Sequence, residues 1–137
     1  MIKRYILLLC MSLLLWACPL INENSATNST VTTVDNIPVT VSEKDKFTFA
    51  VQADAFSMDK STIIDFSTGE LLMVHTITRQ SGGGSISFLD KDSNTLKTID
   101  LALSQVSTNR LSLDATPATA IVKLDNFSGN ISFVLKK

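Results

Sequence analysis

From Ile37 to Leu135 the apolar residues of this chain recur mainly at every second position, and no helical spacing is sustained. A period of two sends successive side chains to opposite faces of a strand, so this stretch must build sheets with one buried face. Ile37, Val39 and Val41 alternate with Pro38 and Thr40, SEKDK makes a charged turn, and Phe47, Phe49, Val51 and Ala53 resume the period. Ile64 and Phe66 lead into a Ser67-Thr68-Gly69 turn. Glu70 to Arg79 then forms a longer strand with Leu71, Met73, His75 and Ile77 on one side. Gly82-Gly83-Gly84 is expected to break the chain, because a glycine run has little preference for any backbone state. Ile86 and Phe88 start the next strand, DKDSN turns it, and Ile99, Leu101 and Leu103 return it. Leu111 and Leu113 make a short element; Ala120, Val122 and Leu124 make a strand; and a Phe127-Ser128-Gly129 turn leads to a last strand with Ile131, Phe133 and Leu135 inward.

Many short strands separated by turn signals predict an all-β fold: a single antiparallel β-sandwich, jelly-roll or Ig-like, over residues 37–137. The segments GGSISFLDKDSNTLKTIDL and AIVKLDNFSGNISFVLKK resemble the closing half of exported bacterial β-sandwich modules of the pre-peptidase C-terminal and jelly-roll type. Gly84, Asp90 and Gly129 match that pattern, whereas its glycine in the polar turn and its tyrosine in the penultimate strand are missing. The resemblance bears on the fold and assigns no function.

Ahead of this body stands an export leader. Lys3 and Arg4 supply positive charge, Ile6 to Trp16 an apolar stretch, and Ala17 a small residue before the cut. The stretch is too short to span a bilayer, which takes about 20 apolar residues. Leu15, Trp16, Ala17 and Cys18 resemble the lipobox of bacterial lipoproteins, with Trp16 standing where that family usually has a small residue. The resemblance implies that residues 1–17 are a signal peptide, that Cys18 is the lipidation site, and that the anchored protein sits in the cell envelope, at the outer membrane in a Gram-negative host. Pro19, rather than Asp, follows the cysteine. One acyl chain attaches only marginally and two durably, so a diacylated thiol fits the need. With Cys18 capped and Cys10 lost in the leader, no thiol remains for disulfides, catalysis or metal.

Residues 18–36 are rich in Asn, Ser and Thr and too poor in large apolar groups to offset ordering entropy, which predicts a polar tether. As a coil it would reach about 25 Å. The full chain carries 12 Lys and Arg against 13 Asp and Glu, and losing Lys3 and Arg4 tips the remainder further toward acid. No basic patch stands out, which argues against nucleic acid as a partner.

The candidate sites are few. Asp90, Asp92 and Asn94 have the alternate spacing that opens a calcium loop, but Thr95 stands where the turn glycine belongs and Leu101 where the closing Glu belongs. A solvated hairpin turn accounts for the same residues. His75, the single histidine, would have to be the base of any Ser-His-Asp hydrolase, yet no elbow motif accompanies it and its strand face is apolar. Asp54, Asp59, Asp65 and Glu70 are the carboxylates from which a glycosidase pair would have to come. Trp16 and Tyr5 both fall in the leader, leaving no Trp or Tyr platform for a sugar, and the seven phenylalanines are placed as core.

The sequence therefore points to a non-catalytic, lipid-anchored envelope protein without a cofactor, presenting a β-sandwich to the membrane's surroundings, with an envelope protein or a glycan as partner. The loops expected at Gly82–Ser85 and Phe56–Lys60 are where contacts would sit. A carbohydrate-binding or weakly calcium-dependent adhesion module, and a small hydrolase, are the alternatives.

Overall fold

The computed structural model describes residues 36–137, and every regular element among them is a strand. These are β1 (Val39–Glu43), β2 (Lys46–Ile63), β3 (Leu71–Leu89), β4 (Thr95–Asp100), β5 (Gln105–Leu111) and β6 (Thr119–Lys136). They join in one antiparallel sheet of order β1-β2-β6-β3-β4, with β5 also paired to β3. The leader, Cys18 and the tether up to residue 35 lie outside the described residues.

Three of the strands run for 18 or 19 residues, and that length shows why the sheet cannot be flat. Through Leu135, Phe47 is in register with Met73 on β3, and about 50 Å of straight strand would separate Met73 from Phe88. Yet the rings of Phe47 and Phe88 meet edge to face with centroids 5.9 Å apart, and Phe88 lies 5.7 Å from Phe133. The sheet therefore folds over on itself into an all-β sandwich. One layer holds β1, residues 46–53 of β2, residues 129–136 of β6, the start of β3 and β5; the other holds the remaining halves of the three long strands and β4.

The fold line is built from bulges. The ladder slips between Ala53 and Phe56 and between Phe56 and Met58 on β2, and between Arg79 and Gly83 on β3. Left-handed residues mark the same line in each strand: Ala55 (φ 48°), Gly82 (φ 70°) and Asn126 (φ 47°). An extra residue on one strand bends it and sharpens its twist. Hydroxyls recover bonds that the slips remove from the ladder: Ala55 N–H donates to Ser128 Oγ at 2.8 Å, and Asn126 N–H to Ser57 Oγ at 2.8 Å. The glycine run thus bends β3 where the periodicity predicted a break. A Cβ on Gly82 would strike the Asn126 carbonyl, one on Gly84 the Lys123 carbonyl, and one on Gly129 the Thr78 carbonyl. Phe56–Lys60 and Phe127–Gly129, expected as a loop and a turn, likewise lie inside β2 and β6.

The core fills the space between the layers, with Phe47, Phe49, Phe88, Phe127 and Phe133 fully buried. On β1 the apolar set points the other way. Ile37 and Val39 are 67% and 54% exposed, while Thr40 pairs with Phe49 on the inner face. The reason is position: β1 ends its layer, and its inner side meets polar groups rather than core. Lys60 Nζ donates to Thr40 Oγ1 at 3.3 Å and Ser42 Oγ to the Ile63 carbonyl at 3.0 Å. Leu103, expected inward on the return strand, lies past the end of β4 and is 70% exposed.

The free ends of the two layers are clasped by Asp45, at φ 59° in the turn from β1 to β2. Its N–H donates to the Asp65 carbonyl at 2.7 Å, its own carbonyl accepts from Lys137 N–H at 3.0 Å, and its Oδ1 accepts from the N–H and hydroxyl of Ser67 at 2.6 and 2.7 Å.

Candidate functional site

The Asp90 turn follows β3. Asp90 Oδ1 accepts from the N–H of Asp92 and of Asn94, both at 2.8 Å, and Oδ2 accepts from Asn94 Nδ2 at 2.9 Å. Those bonds, from Asn94 above all, hold the Asp90 carboxyl below its ordinary value of 3.8. Asp92 turns away to Lys91, with Nζ and Oδ2 3.1 Å apart. Asp90 and Asp92 share a depression of about 340 Å³ with Asp65, bounded by Thr116 and Pro117. Among the described residues no three or more His, Cys, Asp or Glu side chains are grouped so as to hold a metal ion.

The other carboxylates disperse. Asp59 pairs with Lys123 at 3.2 Å and Glu70 with Arg110 at 3.1 Å, both on exposed surface, while Asp54 Oδ1 accepts from Ser128 Oγ at 3.3 Å at the fold line.

His75 lies on the inner face of β3, 3% exposed, its ring stacked on Phe133 with centroids 6.0 Å apart and planes 12° from parallel. Among the described residues neither Nδ1 nor Nε2 has a hydrogen-bond partner. A buried polar atom left without a partner costs about 1–3 kcal/mol, so native folds rarely keep two on one ring without a use for them.

The surroundings of His75 follow from the topology. β5 pairs with Leu71–Ile77 of β3 in one layer, and β4 pairs with Ser85–Leu89 in the other. Both lie on the same edge of β3, and a cleft of about 270 Å³ opens between them, with His75 and Met73 among its lining. Register partners in antiparallel strands share a face. Ser107 is opposite His75, Asn109 opposite Met73 and Gln105 opposite Ile77, so the inner face of β5 brings Gln105, Ser107 and Asn109 to this opening. Gln105 Nε2 donates to the Asp100 carbonyl at 2.8 Å, tying β5 to the end of β4, and Asn109 Nδ2 donates to Ser107 Oγ. Lys97 and Asp100 add one charge of each sign to the walls.

Sequence reading reached His75 and missed its companions. Along QVSTNRL the polar residues Gln105, Ser107 and Asn109 hold the alternate positions, and a reader who assigns apolar residues inward places Val106 in the core. Val106 is in fact among the most exposed large apolar residues described. The usable signal was the partner strand: a histidine in the buried row of β3 calls for a polar neighbour across the ladder. No protein-family model and no curated protein matches the sequence, and the chemistry of the cleft rests on its own residues.

Proposed function

We propose that this chain is a lipid-anchored, non-catalytic protein of the bacterial cell envelope that holds its β-sandwich out to an envelope partner. The observation that carries this reading is the run of Lys3 and Arg4, the apolar stretch Ile6–Trp16, and Leu15-Trp16-Ala17-Cys18. Two acyl chains on the Cys18 thiol would moor the protein at about 0.8 kcal/mol per buried methylene, and residues 19–36 would carry the sandwich clear of the headgroups. The commitment of two candidate carboxylates to ion pairs supports a non-catalytic role. Asp59 and Glu70 are engaged with Lys123 and Arg110, and among the described residues the single histidine has no serine or carboxylate in hydrogen-bond contact. General base chemistry needs such contact or one bridging water.

The test is processing. Globomycin should accumulate the precursor, and Cys18→Ser should abolish partitioning into detergent. Wild-type protein released in soluble, unmodified form would refute the anchor.

A further inference from the structure

We propose that the outer face of the layer formed by β1, β2, β6, β3 and β5 docks a second copy of this chain, sheet on sheet, about a two-fold axis running along the strands between β6 and β3.

Register partners share a face, so the outward residues of this layer can be followed row by row. Val39, Ala50, Ser132, Thr76 and Val106 make one row, and Val41, Thr48, Val134, Val74 and Thr108 the next; Gln52, Asn130 and Thr78 continue the face toward the fold line. None of them is Asp, Glu, Lys or Arg. Charge begins only in the row at the far end, where Glu43, Lys46, Lys136 and Arg110 fall. The opposite layer differs: its outward row Asp59, Lys123, Ser85 and Asp100 is mostly charged. A soluble surface carries about 25–35% charged residues, whereas the core of a protein interface is depleted in them.

Shape identifies the occupant. In the first row Val106, 79% exposed on β5, stands out as a knob. A depression of about 310 Å³ lies over Ala50, Ser132 and Thr76 of the same row, walled by Ile37 and Val39, both exposed. A two-fold axis along the strands and between β6 and β3 exchanges β5 with β2 and leaves height along the strands unchanged. Val106 of each copy then falls on Ala50 of the other, beside Val39, and Thr76 of each faces Ser132 of the other. The contact closes on itself, as a two-fold interface must. Aligned sheets pack about 10 Å apart through interdigitating side chains, which small and β-branched residues suit. The same axis keeps Asn36 of both copies, just ahead of β1, at one height, so two chains moored as proposed above can pair on one membrane. A bilayer is the poorer occupant, since headgroup binding draws on Lys, Arg, Trp or Phe and these rows contain none.

At about 4.8 Å between strands and about 6.7 Å between outward residues, the face measures about 500 Å² on each copy, and the pair buries about 1,000 Å². That is the lower bound for a specific interface, so the dimer is weak in solution and favoured where anchored copies are confined together.

The test uses the full-length protein purified from membranes in excess density-matched detergent and followed by sedimentation equilibrium from micromolar to hundreds of micromolar concentration. Wild type is expected to convert reversibly from monomer to dimer. Val106→Lys and Ala50→Asp, both outward on the sheet and checked for an unchanged urea midpoint, should each raise the dimer Kd at least tenfold. The double variant should recover most of that loss, because its Lys meets the Asp of the other copy and lies three strands from its own. Ser61→Lys, exposed on the outer face of the opposite layer, should leave Kd unchanged. A photo-crosslinker at Thr108 in native membranes should give an adduct of twice the monomer mass. A protein monomeric throughout, a dimer indifferent to both single variants or equally weakened by Ser61→Lys, or adducts to other proteins or to lipid alone would overturn the assignment. Sedimentation reads the face whether or not Cys18 is acylated, so loss of the anchor and loss of the dimer are scored apart.

Discussion

The glycine run offers the sharpest test of the folded sheet, because three neighbours of one residue type should respond differently to the same added methyl group. Gly82 and Gly84 have φ of 70° and 153°, and a Cβ on either would strike a backbone carbonyl of β6. Gly83 lies between them without a positive φ, and nothing stands within 4 Å of where its Cβ would be. Holding a residue with a side chain in a sparsely populated region costs about 1–3 kcal/mol. Here the obstacle is also the partner strand itself, which cannot retreat without opening the ladder. Gly82→Ala and Gly84→Ala should therefore each cost at least about 2 kcal/mol. Gly83→Ala should instead stabilise by about 0.4–1 kcal/mol, by removing freedom from the unfolded chain. With a urea m-value of about 1–3 kcal/mol/M for a small domain, adjacent variants should differ in midpoint by about 1 M or more. Far-UV circular dichroism is the suitable probe, since the described residues contain neither Trp nor Tyr. The reasoning fails if Gly83→Ala is as damaging as its neighbours, or if both flanking variants leave the midpoint unchanged; either result would mean that β3 does not turn at this point.

Two further perturbations follow from the core and the clasp. Phe88→Ala removes the ring that touches Phe47 and Phe133 from the opposite layer and should cost about 3–5 kcal/mol in the same urea assay, against a smaller loss for the half-buried Phe56→Ala; equal losses would contradict the layering. The Ser67 backbone N–H, then its hydroxyl, hold the half-buried Asp45 carboxyl below its ordinary value of 3.8. Stability from this group should be complete above the unfolded value and lost as pH falls through the lower folded one. Asp45→Asn, which keeps an acceptor for Ser67 and tolerates the left-handed φ, should narrow the gap between urea midpoints at about pH 5 and about pH 3 without closing it, because Asp90 is shifted in the same direction.

The buried faces were legible along the straight runs of the three long strands, though not on β1 or β5. Phe47 to Ala53, Leu71 to Ile77 and Ile131 to Leu135 alternate as read, and each set is inward. The bends were not legible as bends, although their trace is in the numbering. Inward residues are odd in the first half of β2 and even at Met58, which pairs with buried Leu124; they are odd at Met73 and Ile77 but even at Ile86 and Phe88, and even at Val122 and Leu124 but odd at Ile131 and Phe133. A one-residue slip of phase reads the same whether the chain reverses at a turn or inserts a bulge and carries on. What separates the two is agreement between strands. Gly129 pairs with both Ala53 and Arg79, and Leu124 with both Met58 and Gly84, so the slips line up across the sheet, a long-range fact that no local window contains.

That alignment also accounts for where the candidate site lies. Folding a sheet along one line makes two layers joined at the crease and leaves a lateral opening along each outer strand. On the β2 side the opening is closed by Lys60 reaching Thr40 and by Ser42 reaching the Ile63 carbonyl. On the β3 side the covering strands follow the crease instead of bridging it. The link from β4 to β5 is pinned to β3 at the bend, where Leu101 N–H donates to the Gly84 carbonyl at 3.0 Å and Arg79 N–H to Ser104 Oγ at 2.8 Å. β4 and β5 are thereby held to separate layers, and the only histidine of the chain sits at the inner end of the gap between them. Substituting the Ser104 hydroxyl or the Gln105 amide, the side chains that tie this link down, should loosen the cleft while leaving the Phe47–Phe88–Phe133 contact in place, because that contact is made by the three long strands alone.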